Sequence, residues 1–463
     1  MATGSASELL RRHWPILALL LGATVLRGLA WYAVHPAWWI IGDTIGYLNV
    51  ALHHVPERWR PGGYALMMLL PLLPFHHVAL VTVVQHLMGL AGGVLVYATL
   101  LRLGIPHWAA ALASVPALFD GYIVASEQML ASEALFGFLV IAGLAVLLWR
   151  ADRPGYVEVV AAGLLLGLST LTRIVGLPLI AVAVLILLLQ RAGWLRLVAL
   201  TAAFALPLLL YSAWFDRHYG VFNLTASSGV FLYGRTVNFV DCGKVRFTDE
   251  SLRRLCPTEP VWKRNEIWYV FDPESPVAKT GLSVAGSNDL AGRFAAEAIR
   301  AQPGDYAMLA LAGVVATFEW DQGVTYNDML FDQDHTLPED GLVAGLAYQR
   351  SADPRPITDP PLAHALRAYE GVVSVPGTVC LLALLLALAA LALGRDPNRR
   401  GLRPALLLTA GVAAVLLLVP ALTAIAAPRY RVPAIPALCL VVVISASLIA
   451  SRIRGRRQDP VLD

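Results

Sequence analysis

"WPILALLLGATVLRGLAWYA", residues 14–33, decides how this chain folds, because about 20 mostly apolar residues are what an α-helix needs to cross a bilayer. Arg11 and Arg12 precede the run, as they would in a secretory leader. The run is long for a leader, lacks a small-x-small cleavage site and ends in Trp31-Tyr32, like an interfacial aromatic belt. It therefore reads as an uncleaved first spanning helix. The rest of the chain agrees: of 463 residues, 57% are hydrophobic and only 14% charged, where a soluble domain carries nearer a quarter. Net charge is +3, and no basic run alternates with aromatics, so nucleic-acid binding is excluded.

Further spans are expected at 77–102, 107–120, 131–149, 156–172, 174–190, 196–215, 372–394, 403–426 and 432–451, about ten in all. The arginine-rich loops 149–154, 190–196, 394–403 and 452–457 then all fall on the cytoplasmic side, as does the N-terminus. The predicted fold class is an all-α polytopic protein of the cytoplasmic (inner) membrane. Its parts are an N-terminal module 1–215 with a first outer loop 34–76, a polar extracytoplasmic insert 216–371, and C-terminal helices with a cytoplasmic tail, 372–463. Within the insert, "GDYAMLALAGVVATFEW" (304–320) would reverse the loops if it spanned, so it is read as an outer interfacial helix. The insert is expected to pack against the outer membrane face rather than form a separate domain.

The four cysteines form no zinc pattern. Cys380 and Cys439 lie in apolar runs. Cys242 and Cys256 bracket a polar segment, where an oxidising exterior would allow a disulfide. "FDQDH" (331–335) offers a divalent-cation alternative to a solvated loop, and no cofactor is otherwise called for.

This path puts the polar residues that can do chemistry on one side. Asp43 and Tyr47 stand in "GDTIGYLNVALHH" (42–54), and Arg60 and Tyr64 in "ERWRPGGYALMML" (57–69). Glu127 and Glu133 stand in "SEQMLASEALFGFL" (126–139), and Arg173 in "LTRIVGLPL" (171–179). Arg429, Tyr430 and Arg431 stand in "PRYRVPAIPAL" (428–438). Each has an ordinary reading beside the functional one. Asp43 could be a wet helix-end carboxylate, the tyrosines belt or packing residues, and the arginines headgroup anchors. Arg27 lies inside the first span, where charge is costly and usually functional unless it snorkels outward. His53 and His54 read as loop residues.

In order and side, these motifs resemble the integral-membrane glycosyltransferases of the GT-C superfamily, in the polyprenyl-phosphate-sugar-dependent branch with protein mannosyltransferases and the lipid A aminoarabinose transferase. The likeness covers roughly 14–215 and 372–451. One departure is Gly42-Asp43, where many relatives carry two adjacent acids. The resemblance implies transfer of a sugar from a polyprenyl-phosphate donor to an extracytoplasmic glycan, lipid or protein hydroxyl. It implies Asp43 as general base and an inverting single displacement. Arg27, Arg173, Arg429, Tyr430 and Arg431 would meet the donor phosphate. Tyr47, Arg60, Tyr64, Glu127 and Glu133 would contact substrate. A phosphate leaving group needs fixed cations rather than protonation, and an alcohol acceptor needs a base. The alternative is a transporter or flippase of lipid-linked or anionic solutes, though such proteins place ionisable residues near the midplane rather than at helix ends.

Overall fold

The computed structural model describes residues 6–38, 42–150, 153–320, 357–358, 360–394, 401–423 and 428–458. The acids and histidine of 331–335 lie outside them. Among the described residues, six helices are long and apolar enough to cross a membrane: Arg11–Ala33, Ala79–Arg102, Trp194–Tyr219, Pro361–Leu393, Leu402–Thr423 and Val432–Ile453. They coincide with six of the expected spans. The other four appear as shorter pieces. Glu133–Leu147, Tyr156–Thr172 and Ile174–Leu189 are apolar helices, while 107–120 is divided into His107–Ala113 and Val115–Phe119. The division falls at Ser114, followed by Pro116, whose ring and missing N–H interrupt a helical ladder. Length and composition thus support six crossings in a multi-pass membrane protein.

The main apolar core lies where these helices meet, through residues such as Leu100, Phe136, Leu144, Leu406, Leu440 and Ile444, all buried. Close approach depends on small residues. A Cβ on Gly163 would stand 2.5 Å from Leu200 O, and one on Gly167 2.5 Å from Phe204 O, so Tyr156–Thr172 and Trp194–Tyr219 nearly touch at the backbone.

The segment between the first two spanning helices is ordered in two pieces. Helix Asp43–His53 and the Tyr64–Leu69 turn bury Tyr47, Leu48, Val50, Tyr64, Met68 and Leu69 together. Just before them, Val34–His35 pairs antiparallel with Ile357–Thr358. Within the insert, Tyr233, Val237, Leu252, Leu255, Tyr269 and Phe294 form a separate apolar cluster. This part of the insert therefore has a packed centre of its own. Cys242 and Cys256 are disulfide-bonded beside that cluster. Pro303–Thr317 is helical and lies against Leu402–Thr423, where a Cβ on Gly313 would come 2.5 Å from Ala421 O.

Candidate active site

Asp43 opens the helix Asp43–His53, where the unpaired N–H groups of a first turn favour a carboxylate. The preceding Gly42 has φ 90°, a conformation that costs a side chain dearly. An acid at position 42 would be strained in this backbone.

Asp43 lies between two guanidiniums. Its Oδ1 is 3.0 Å from Arg60 Nη2, and its Oδ2 is 3.2 Å from Arg429 Nη1. Its side chain is 19% exposed, so the pair of contacts leaves it reachable. Burial opposes the charge, but Arg429, Arg60 and Arg173 together hold its carboxyl below the ordinary carboxylate value. Arg60 also donates to Gly42 O at 2.9 Å and covers the Tyr47 ring at 5.6 Å.

A second carboxylate adjoins the first. Glu133, almost fully buried at the start of its helix, pairs with Arg173 Nη1 and lies 3.9 Å from Arg429 Nη1. Arg173 ends the helix Tyr156–Thr172 in an extended conformation, which turns the chain out of the helix at the cation. Tyr430 faces both Arg173 and Arg429, each guanidinium carbon 5.2 Å from the ring centre. Three cations, Arg60, Arg173 and Arg429, therefore gather about two acids, Asp43 and Glu133.

The surrounding sequence explains how such distant residues meet. Thr44 donates to Leu130 O at 3.0 Å, and Tyr47 donates to Ser132 Oγ at 3.0 Å, joining the first loop to the segment that carries Glu133. Trp38 and Leu130 complete the seam through backbone bonds. Gly63 brings the Arg60 turn to within 2.3 Å, measured from a would-be Cβ, of Leu171 O, two residues before Arg173. No larger residue fits there.

The remaining expected site residues take other places. Tyr47 and Tyr64 are buried under the cluster, ring to ring at 4.8 Å, and Tyr64 donates to Gln85 Oε1 at 2.8 Å. Arg27 and Glu127 pair with each other, with Nη2 to Oε1 and Nε to Oε2 both 2.8 Å, at 2% and 1% residue exposure. Arg27 thus does not snorkel. His86 Nδ1 lies 2.8 Å from Glu127 Oε2, and its Nε2 lies 2.8 Å from Gln128 Oε1. Both Glu127 oxygens are thus engaged within the protein. Arg431 is buried and acts electrostatically on Asp120. Glu127 and Glu133 both line a small, mostly apolar cavity with Phe138, Ile141 and Val432. His53 and His54 are exposed.

Sequence reasoning passed over Glu57. It lies in the quoted "ERWRPGGY", three residues before Arg60, and its Oε2 comes 3.6 Å from Arg60 Nη1. The signal was an acid one helical turn from a cation already singled out. Among the described residues, no group of three or more His, Cys, Asp or Glu side chains could hold a metal ion.

No protein-family model matches the chain, and no curated protein matches it. Among solved structures it is similar to ArnT from Cupriavidus metallidurans in the apo state, at 13% identity and a TM-score of 0.37, covering 94% of this chain and 77% of that one. The same protein bound to undecaprenyl phosphate gives 14% identity and a TM-score of 0.37, covering 95% and 78%. The archaeal oligosaccharyltransferase AglB from Archaeoglobus fulgidus, in complex with an inhibitory peptide and a dolichol-phosphate, gives 12% identity and 0.39, covering 98% of this chain and 52% of that one. The chain thus spans about half of AglB. At TM-scores this low, these likenesses carry no weight in what is proposed for the site.

Proposed function

We propose that this protein is a membrane glycosyltransferase that moves a sugar from a polyprenyl-phosphate donor to an acceptor hydroxyl outside the cytoplasm. The observation that carries this reading is the reachable Asp43 carboxylate held between Arg60 and Arg429, with Arg173 and Glu133 beside them. An acid meeting several permanent cations is what the chemistry needs. The acceptor O–H gives its proton to Asp43 as its oxygen bonds the anomeric carbon. The bond from that carbon to the phosphate oxygen breaks with its electron pair. Polyprenyl phosphate leaves with one more negative charge, met by guanidiniums whose forked donors suit phosphate oxygens. One base on one face implies inversion, the acceptor hydroxyl standing where water stands in inverting hydrolases.

In the resting site Asp43 is a weak base, because Arg429 and Arg60 stabilise its charged form. A phosphate competing for the same guanidiniums would loosen that hold and raise the basicity of Asp43 when the donor is present. Donor binding and base activation are then one event.

The test begins with mass spectrometry of envelope glycans from cells with and without the gene, which supplies the missing product. Wild-type protein should restore that product. Asp43→Asn, expressed and folded to the same level, should restore less by a factor on the order of 10²–10⁴ in rate. Full restoration by Asp43→Asn would remove the base assignment. Translocation of a lipid-linked solute in liposomes without any covalent product would replace the transferase by a transporter.

A further inference from the structure

Glu57 occupies an unusual place for a carboxylate. Its side chain is 19% exposed, and its Oε2 is buried without a hydrogen bond. The oxygen sits in a hollow left by Gly46, where a Cβ would come 2.5 Å from Oε2 and 2.6 Å from the carboxyl carbon. The groups facing it come from three directions. Arg60 and Arg58 belong to its own segment, Asp43 to the helix Asp43–His53, and Tyr211 and Tyr219 to the helix Trp194–Tyr219. Tyr211 Oη accepts from Gly62 N at 2.9 Å and Tyr219 donates to Pro56 O at 2.8 Å, and neither is hydrogen-bonded to Glu57 Oε2. Arg60 Nη1 at 3.6 Å is the ion-pair partner of Glu57, with Arg58 acting on it more weakly, and the same Arg60 guanidinium already lies 3.0 Å from Asp43. Two carboxylates share one arginine.

The two differ in how they hold a proton. Asp43 has Arg429 as a second cation and stays ionised. Glu57 is pushed up to about 7 by burial, which outweighs the pull of Arg60 and is helped by the repulsion from Asp43. Near neutral pH the cluster thus changes charge by one unit. With Glu57 protonated, Arg60, Arg173 and Arg429 exceed Asp43 and Glu133 by one positive charge. With Glu57 ionised, the excess is gone.

We infer that Glu57 is a positioning and charge-setting residue of the anion site: by competing with Asp43 for Arg60, it makes the site bind a phosphate diester more tightly when it carries a proton. This rests on the phosphate-binding reading above. Anion binding then draws a proton onto Glu57, and release of the anion lets it go.

The test uses the full-length protein in detergent and a short-chain prenyl methyl phosphate, a diester with a single, non-titrating negative charge across the neutral range. Wild-type affinity should fall on the order of tenfold between about pH 6 and about pH 8, the effect of one nearby unit charge at partly screened distance. Calorimetry in buffers of different ionisation enthalpy should show up to one proton taken up per anion near neutrality. Glu57→Gln should bind at both pH values as wild type does at the lower one, with no proton uptake. Flat wild-type affinity across this range, or an unchanged slope in Glu57→Gln, would overturn the role of Glu57 while leaving the phosphate site standing. Absence of diester binding by either protein at both pH values would overturn the phosphate reading, and this inference with it.

Discussion

Gly89 offers the sharpest check on how the interior is built. A Cβ there would lie 1.7 Å from Glu127 Oε1, 2.5 Å from its carboxyl carbon and 2.8 Å from Arg27 Nη2. Those atoms are part of a buried ion pair, not the end of a loose chain, since Glu127 and Arg27 are 1% and 2% exposed. Gly89→Ala must therefore displace the carboxylate and leave Arg27 short of its partner. Removing one side of a buried ion pair typically costs about 3–5 kcal/mol, and the loss should be of that size here. Equilibrium unfolding by SDS from mild micelles would measure it. A double-mutant cycle identifies the cause: in a Glu127→Ala background the added methyl meets only the tip of Arg27, released from its carboxylate and able to swing aside, so Gly89→Ala should cost less than about 1 kcal/mol there. Equal costs in the two backgrounds, or a negligible cost in the first, would show that the glycine is not there to admit the ion pair.

Two further outcomes are expected. Replacing Cys242 and Cys256 together by serine opens a loop of sequence separation 14 beside the insert's apolar cluster, and should cost about 3 kcal/mol, seen as faster limited proteolysis within 230–298. The Asp43 carboxyl is held below its ordinary value of 3.8, so its contribution to stability is in place above that value and is lost only as pH falls through the lower folded one. The stability difference between wild type and Asp43→Asn should accordingly not shrink between about pH 7 and about pH 5, and a difference that fades in that window would contradict the ion-pair account.

Much of this architecture is legible along the chain, for definite reasons. Runs of apolar residues are a local signal, and six of them become helices of spanning length. Arg173 and Arg429 stand out because each interrupts apolar sequence, and Arg60 because it stands just before Pro61-Gly62-Gly63-Tyr64; the structure gathers all three about Asp43 although Arg429 is 386 residues away from it. Partnership is less legible than polarity. Nothing local says that Arg27 belongs to Glu127, 100 residues on, or that Arg431 acts on Asp120. Hydropathy also could not foresee that 107–120 breaks at Ser114, nor that the polar insert closes around Tyr233 and Phe294. Glu57 went unnoticed for a related reason: Arg60 stands near it in sequence, but nothing local says that Gly46 leaves its carboxyl a hollow or that Asp43 shares the same guanidinium.

Tyr430 has a mechanical consequence. One aromatic ring serves as a common bearing for Arg173 and Arg429, drawn from opposite halves of the chain, and its electron-rich face softens the repulsion between them. In the proposed phosphate site, an incoming anion would meet a forceps whose two tips already rest on one ring. Any shift of the short turn Pro428–Tyr430 would carry both the hinge and one tip together, so the grip would open or close as a single piece.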